Sequence, residues 1–202
     1  MSDLCTLYIV RHGQTDWNLN GITQGETDIP LNGEGIKQAE TMASNLKHIK
    51  FDAVFSSDLI RAKKTAEIIA VEKNLAIETT KLLRERRYGK FNGKPWLLMK
   101  KYYDEWENLS KNERAQYKPY KGYETDEEAV GRLITFLRET SVACAGKTIL
   151  VVAHGGLMRV FLNHLSKETY LTGSVSNLAY IKLESDGVDF FIKELKGIQN
   201  PS

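Results

Sequence analysis

The segment Thr148 to Ala153 (Thr-Ile-Leu-Val-Val-Ala) constrains the fold more than any other. It is continuous, apolar and rich in β-branched residues, without the alternation of a half-buried strand. A strand of that kind belongs in a sheet covered on both faces, with parallel neighbours and crossover helices. Thr6 to Val10 is a second such strand and Ala53 to Phe55 a short third, with another at Leu75 to Ile77. Helical spacing separates them. Asn32 to Leu46 puts Ile36, Ala39, Ala43 and Leu46 on one face, and a helix follows Ser56-Ser57-Asp58 and runs through Ile69. Thr125 to Glu128 forms a capping box for a helix to about Ala143 with Val130, Leu133, Ile134 and Leu137 inward. A further helix follows Gly156 to Leu165, and Asn177 to Leu183 with Val188 to Ile192 make a hairpin around Asp186-Gly187. The pattern predicts an α/β fold: a three-layer αβα sandwich with a mixed, mostly parallel sheet.

At 202 residues the chain is expected to form one domain over 1–202. Residues 94–123 would be a small inserted lobe covering the site. Trp96, Met99, Tyr103 and Trp106 at helical spacing either line a substrate pocket or, as such stripes usually do, pack the helix onto the body, and Ser110 to Tyr123 reads as irregular. No apolar run approaches the ~20 residues of a membrane helix. Cys5 and Cys144 are too few for a disulfide framework, and no signal segment is evident, so a cytoplasmic location is expected. The net charge of +2 argues against nucleic acid as a partner. Lys81 to Lys101 nevertheless holds eight basic residues against Glu85 alone, a field suited to a small anion or a solvated basic loop. The oligomeric state is not written in the sequence.

Ligands of open α/β sheets sit beyond the carboxyl ends of the strands. Those ends read Arg11-His12-Gly13, Ser56-Ser57-Asp58 with Arg61 one turn on, and His154-Gly155-Gly156. If the strands are neighbours, two imidazoles and two guanidiniums meet. Arginine forks match phosphate oxygens, glycine after histidine admits a close backbone, and a helix N-terminus favours an anion. A small phosphorylated metabolite is the expected partner.

These parts resemble the histidine phosphatase superfamily, which includes the cofactor-dependent phosphoglycerate mutases. Five blocks carry the resemblance, in the family's order. They are Arg11-His12-Gly13-Gln14-Thr15 with Asn18, and Gln24-Gly25 with Asp28, Pro30-Leu31 and Gly35. Then come Ser56-Ser57-Asp58-Leu59 with Arg61-Ala62 and Thr65-Ala66, Leu83-Arg84-Glu85 with Tyr88-Gly89 and Gly93, and Val152-Ala153-His154-Gly155-Gly156. The resemblance implies that His12 is the nucleophile, that Arg11, Arg61 and His154 hold the phosphoryl oxygens, and that His154 is cationic with phosphate bound. Glu85 would be the general acid and base. There, the adjacent arginines favour the carboxylate and a bound phosphate favours the acid. Asn18, Gln24, Gly25, Arg86, Tyr88 and Gly155 would bind substrate, with no metal and no cofactor.

Rival readings rest on fewer parts. A zinc hydrolase lacks ligand spacing among four histidines, and Cys5 to Arg11 has Cys-x5-Arg spacing but on an apolar strand. An esterase would need a Gly-x-Ser-x-Gly elbow. A non-catalytic phospho-ligand binder would be expected to lose His12 or Glu85. Between mutase and phosphatase, Arg86 and Tyr88 resemble the mutase loop and imply a second anionic group on the substrate. Gly156, where the mutases typically carry Asn, and the missing pair of adjacent arginines after Gly93 imply hydrolysis.

Overall fold

β1 (Cys5–Arg11) and β4 (Thr148–Ala153) lie side by side at the centre of a six-stranded sheet. The structure is a computed structural model and describes residues 3–71, 74–166 and 174–199. β2 (Ala53–Ser57) and β3 (Ile77–Thr80) extend the sheet on one side of β4, all parallel. β5 (Val175–Ser185) and β6 (Phe190–Ile198) extend it antiparallel on the other, giving the order β3-β2-β4-β1-β5-β6. The sheet is mixed and mostly parallel, as its composition dictated.

The alternation along β1 and β4 builds two cores. Leu7, Ile9, Ile149, Val151 and Ala153 face α6 (Asp126–Ala143) and α7 (Gly155–Leu165). Tyr8, Val10, Leu150 and Val152 face α2 (Gly33–Asn45) and α3 (Ile60–Ala70). Both faces are therefore dry, which is why neither strand alternates with polar residues. Asn32 caps α2 by accepting from Gly35 N–H, and Thr125 caps α6 in the expected capping box.

Several local expectations shift. The buried stripe of α2 runs through Gly35, Ala39 and Met42 and on to Leu46, while Ile36 is exposed. The close approach of Gly35 to the Gln14 backbone, which leaves no room for a side chain there, sets its rotation rather than the apolar spacing. The strand expected at Leu75 to Ile77 is β3, which begins at Ile77 and runs to Thr80. Ser110 to Tyr123 is not wholly irregular. Ser110 caps a short helix, α5 (Lys111–Gln116), and Glu113 returns the bond. Before it a 3-10 turn at Trp96–Met99 leads into α4 (Lys100–Glu107), the fourth helix in the chain after the one-turn α1 (Asp16–Leu19). In that stripe Met99 is buried with Tyr88 and Tyr123, but Trp96 is half exposed. Among the described residues no helix is long and apolar enough to cross a membrane.

Candidate active site

The parallel register of β1 and β4 matches Arg11 to Ala153, so His12 and His154 leave the sheet together, and His12 N–H donates to the Ala153 carbonyl. Their ring centroids are 5.1 Å apart. Arg61, fully buried on the first turn of α3, places Nε 3.3 Å from His12 Nε2. Its Nη1 and Nη2 donate to the carbonyls of Thr27 and Gly25, each at 2.8 Å, so the Gln24-Gly25 block folds over the guanidinium. Arg11 donates to the Val175 carbonyl and packs flat on Gly155, where an added Cβ would stand 3.0 Å from Arg11 Nε. Arg11, His12 and Arg61 line one cavity of about 770 Å³, and His154 is fully buried against the His12 ring.

The His12 tautomer follows from one bond. Nδ1 lies 2.7 Å from the Gly13 carbonyl, which can only accept, so Nδ1 carries the proton and Nε2 keeps its lone pair. Burial, then the Arg61 and Arg11 charges, push the His12 pKa well below the ordinary imidazole value, so the ring is neutral at pH 7. His154 is lowered likewise by burial first, then Arg61 and His12. Both its ring nitrogens are buried without a hydrogen-bond partner, as is Arg11 Nε. Buried donors do not stay unpaired without cost. An oxyanion beside the His12 ring would pair with Arg11 Nε and one His154 nitrogen and restore a proton to His154. Burial lowers the Arg61 pKa to about 10, which leaves it cationic.

Glu85 stands at the N-terminus of α7. Its carboxylate accepts from the backbone N–H of Gly156 (2.9 Å), Leu157 (3.0 Å) and Arg86 (2.8 Å). Gly156 makes this possible, because a Cβ there would lie 2.6 Å from both Glu85 Oε1 and the Tyr88 hydroxyl. The adjacent arginines do not face Glu85 with their guanidiniums. Arg84 grips Asp58 with two 2.7 Å bonds, Arg86 pairs with Asp126 at 2.6 Å, and Arg87 reaches toward Glu124. The three arginines around Glu85 are thereby paired with acids from elsewhere in the chain.

Asn18, Gln24, Gly25, Tyr88 and Gly155 line the same cavity as His12. Asn18 Oδ1 is taken by Thr15 and Asn177, so its Nδ2 is the donor left for a ligand. Gln24 Oε1 is buried without a partner. Burial and Glu85 raise the Tyr88 pKa, which keeps it a phenol. Arg86 is the exception among the expected substrate ligands. It is buried among Asp126, the Glu124 carbonyl and Tyr123, away from the His12 cavity. An acid 40 residues on claims it, and no local pattern announces that. Lys100 lines the cavity paired to Asp104, whereas Lys94 and Lys101 do not line it.

Sequence reasoning missed two contributors. Asn177 donates from Nδ2 to the His12 carbonyl at 3.0 Å. Arg159 lines the cavity from α7, and its place one turn after Gly155 was the available signal. Among the described residues no three His, Cys, Asp or Glu side chains cluster as metal ligands would.

The family model of the histidine phosphatase superfamily (branch 1) matches residues 7–196. The chain belongs to this superfamily. It is 38% identical over 158 residues to PhoE of Bacillus subtilis, an uncharacterized phosphatase, covering 78% of this chain and 76% of that one. Among solved structures, phosphoglycerate mutase from Bacillus anthracis superposes with a TM-score of 0.83 at 28% identity, covering 97% of this chain and 94% of the other. A mycobacterial glucosyl-3-phosphoglycerate phosphatase superposes at 0.79 and 26% identity, covering 98% and 99%. Histidine phosphatases similar to this chain thus include both hydrolases and mutases, and the three-layer fold is theirs.

Proposed function

We propose that the chain is a phosphomonoesterase working through a phosphohistidine on His12. The observation that carries this is the neutral His12 imidazole, Nδ1 protonated, lining one cavity with Arg11 and Arg61 and packed against the buried, unpartnered His154. Nε2 attacks phosphorus as the bond to the alcohol oxygen breaks, and the Glu85 carboxyl passes that oxygen a proton. Water then attacks phosphorus, Glu85 takes its proton, the P–N bond breaks and phosphate leaves. The guanidiniums of Arg11 and Arg61 and protonated His154 carry the charge of both transition states. Arg61 still has two of a guanidinium's five N–H groups for this. On this reading those cations supply what a metal would, and a small phosphorylated metabolite in the cytoplasm is the substrate.

The phosphohydrolase relatives support hydrolysis, and so does the loss of Arg86 as a grip for a retained intermediate. The test uses a panel of phosphomonoesters with a chelator present, following phosphate release beside interconversion of 2- and 3-phosphoglycerate. Release is expected to outpace interconversion. Acid-labile phosphate should be trapped on wild-type enzyme and not on His12→Ala. Interconversion that outpaces release makes the chain a mutase, and His12→Ala with wild-type turnover ends the mechanism.

A further inference from the structure

Three arginines line the cavity, Arg11, Arg61 and Arg159. They share a property that Arg84, Arg86, Arg87 and Arg132 lack. Each of those four has a carboxylate within 4 Å, whereas among the described residues none reaches the three in the cavity. Arg11 and Arg61 flank His12 and account for one phosphoryl group. The third guanidinium is in excess of that.

Arg159 is half-buried. Its contacts are the Tyr103 hydroxyl at 3.3 Å and the Tyr103 ring, 5.6 Å from the guanidinium carbon. It lies four residues after Gly155, so it shares that helical face about 6 Å further along the axis. Arg11 packs on Gly155, so Arg159 continues the cationic wall outward from the phosphoryl position. The acids on α4 do not cancel it. Asp104 is bound by Lys100, and Glu107 lies beyond ion-pair reach of Arg159. A half-buried cation that faces a cavity without a counter-ion is placed to take one from the ligand.

We propose that Arg159, oriented by the Tyr103 hydroxyl, is a specificity-determining residue that receives a carboxylate of the substrate a few bonds from the ester oxygen. It takes the part that Arg86 cannot, and it rests on the phosphomonoesterase reading above. The test compares short phosphorylated hydroxy acids with their carboxamides, which have the same shape and lack the charge. Arg159→Met should lower kcat/KM for the acids about ten- to hundredfold more than for the amides, mainly through KM, and Arg159→Lys should restore part of the difference. Equal losses on both series, or none, overturn the assignment. Calorimetric affinities on a His12→Ala background read the same contrast without turnover. Wild-type enzyme inert toward every ester defeats the hydrolase reading, while the binding contrast still decides the role of Arg159.

Discussion

Gly156 leaves no room for a side chain while Glu85 and Tyr88 stand where they do. Both obstacles are the far ends of side chains, so a larger residue would displace them without unfolding the chain. Gly156→Asn should therefore keep the melting temperature near wild type and lower kcat about ten- to hundredfold, because Glu85 leaves its three backbone donors. An unchanged kcat would show that the observed Glu85 position is not the working one. At this scale the sequence was a good guide to identity and a poor one to partners. His12, Glu85 and His154 were legible from motif and strand end. The facing of Arg84, Arg86 and Arg87 was not, since Asp58, Asp126 and Glu124 claim them from elsewhere in the chain.

Between elements, the loop that presents Glu85 is clamped from α6. Arg132 donates to the carbonyls of Leu82 (2.7 Å) and Glu85 (3.3 Å), and Glu124 holds Arg132 Nε at 2.9 Å. Glu124 also accepts from Arg87 N–H at 3.1 Å and is almost fully buried. Removing one partner of such a pair strands the other charge. Glu124→Ala should cost about 3–5 kcal/mol in urea denaturation, and Glu124→Gln less, with a fall in kcat as the loop loosens. A change under 1 kcal/mol for Glu124→Ala, by the same principle, would mean water replaces the carboxylate. The capping box at Thr125 was visible before the structure, whereas the clamp needed α6 docked beside the 82–87 loop. The box at Ser110 carried the same signal, and Pro119 and Gly122 nearby masked it.

Over the whole molecule the two site histidines tie stability to pH. Both have native pKa values depressed by burial and by the arginine charges. Below about pH 6.5 the unfolded chain binds protons that the native state refuses, so stability falls as pH falls toward the native values. The slope reaches at most about 1.4 kcal/mol per pH unit for each histidine. Denaturation midpoints should drop between pH 6.5 and 5.5, less steeply in His154→Gln, and inorganic phosphate should offset the loss by holding His154 protonated. A flat profile would mean the rings are solvated. The sequence by itself determined the layers and the chemical inventory: apolar runs covered on both faces make a parallel sheet, and the residues after them emerge at its carboxyl edge. Those signals are short in range, so a linear reading captures them. Only the tertiary structure decided which charges face the cavity. An arginine pairs with whatever acid the fold brings within 4 Å, and that acid's place in the sequence carries no local mark. That is why Arg86 turned inward to Asp126 and Arg159 was left facing the site.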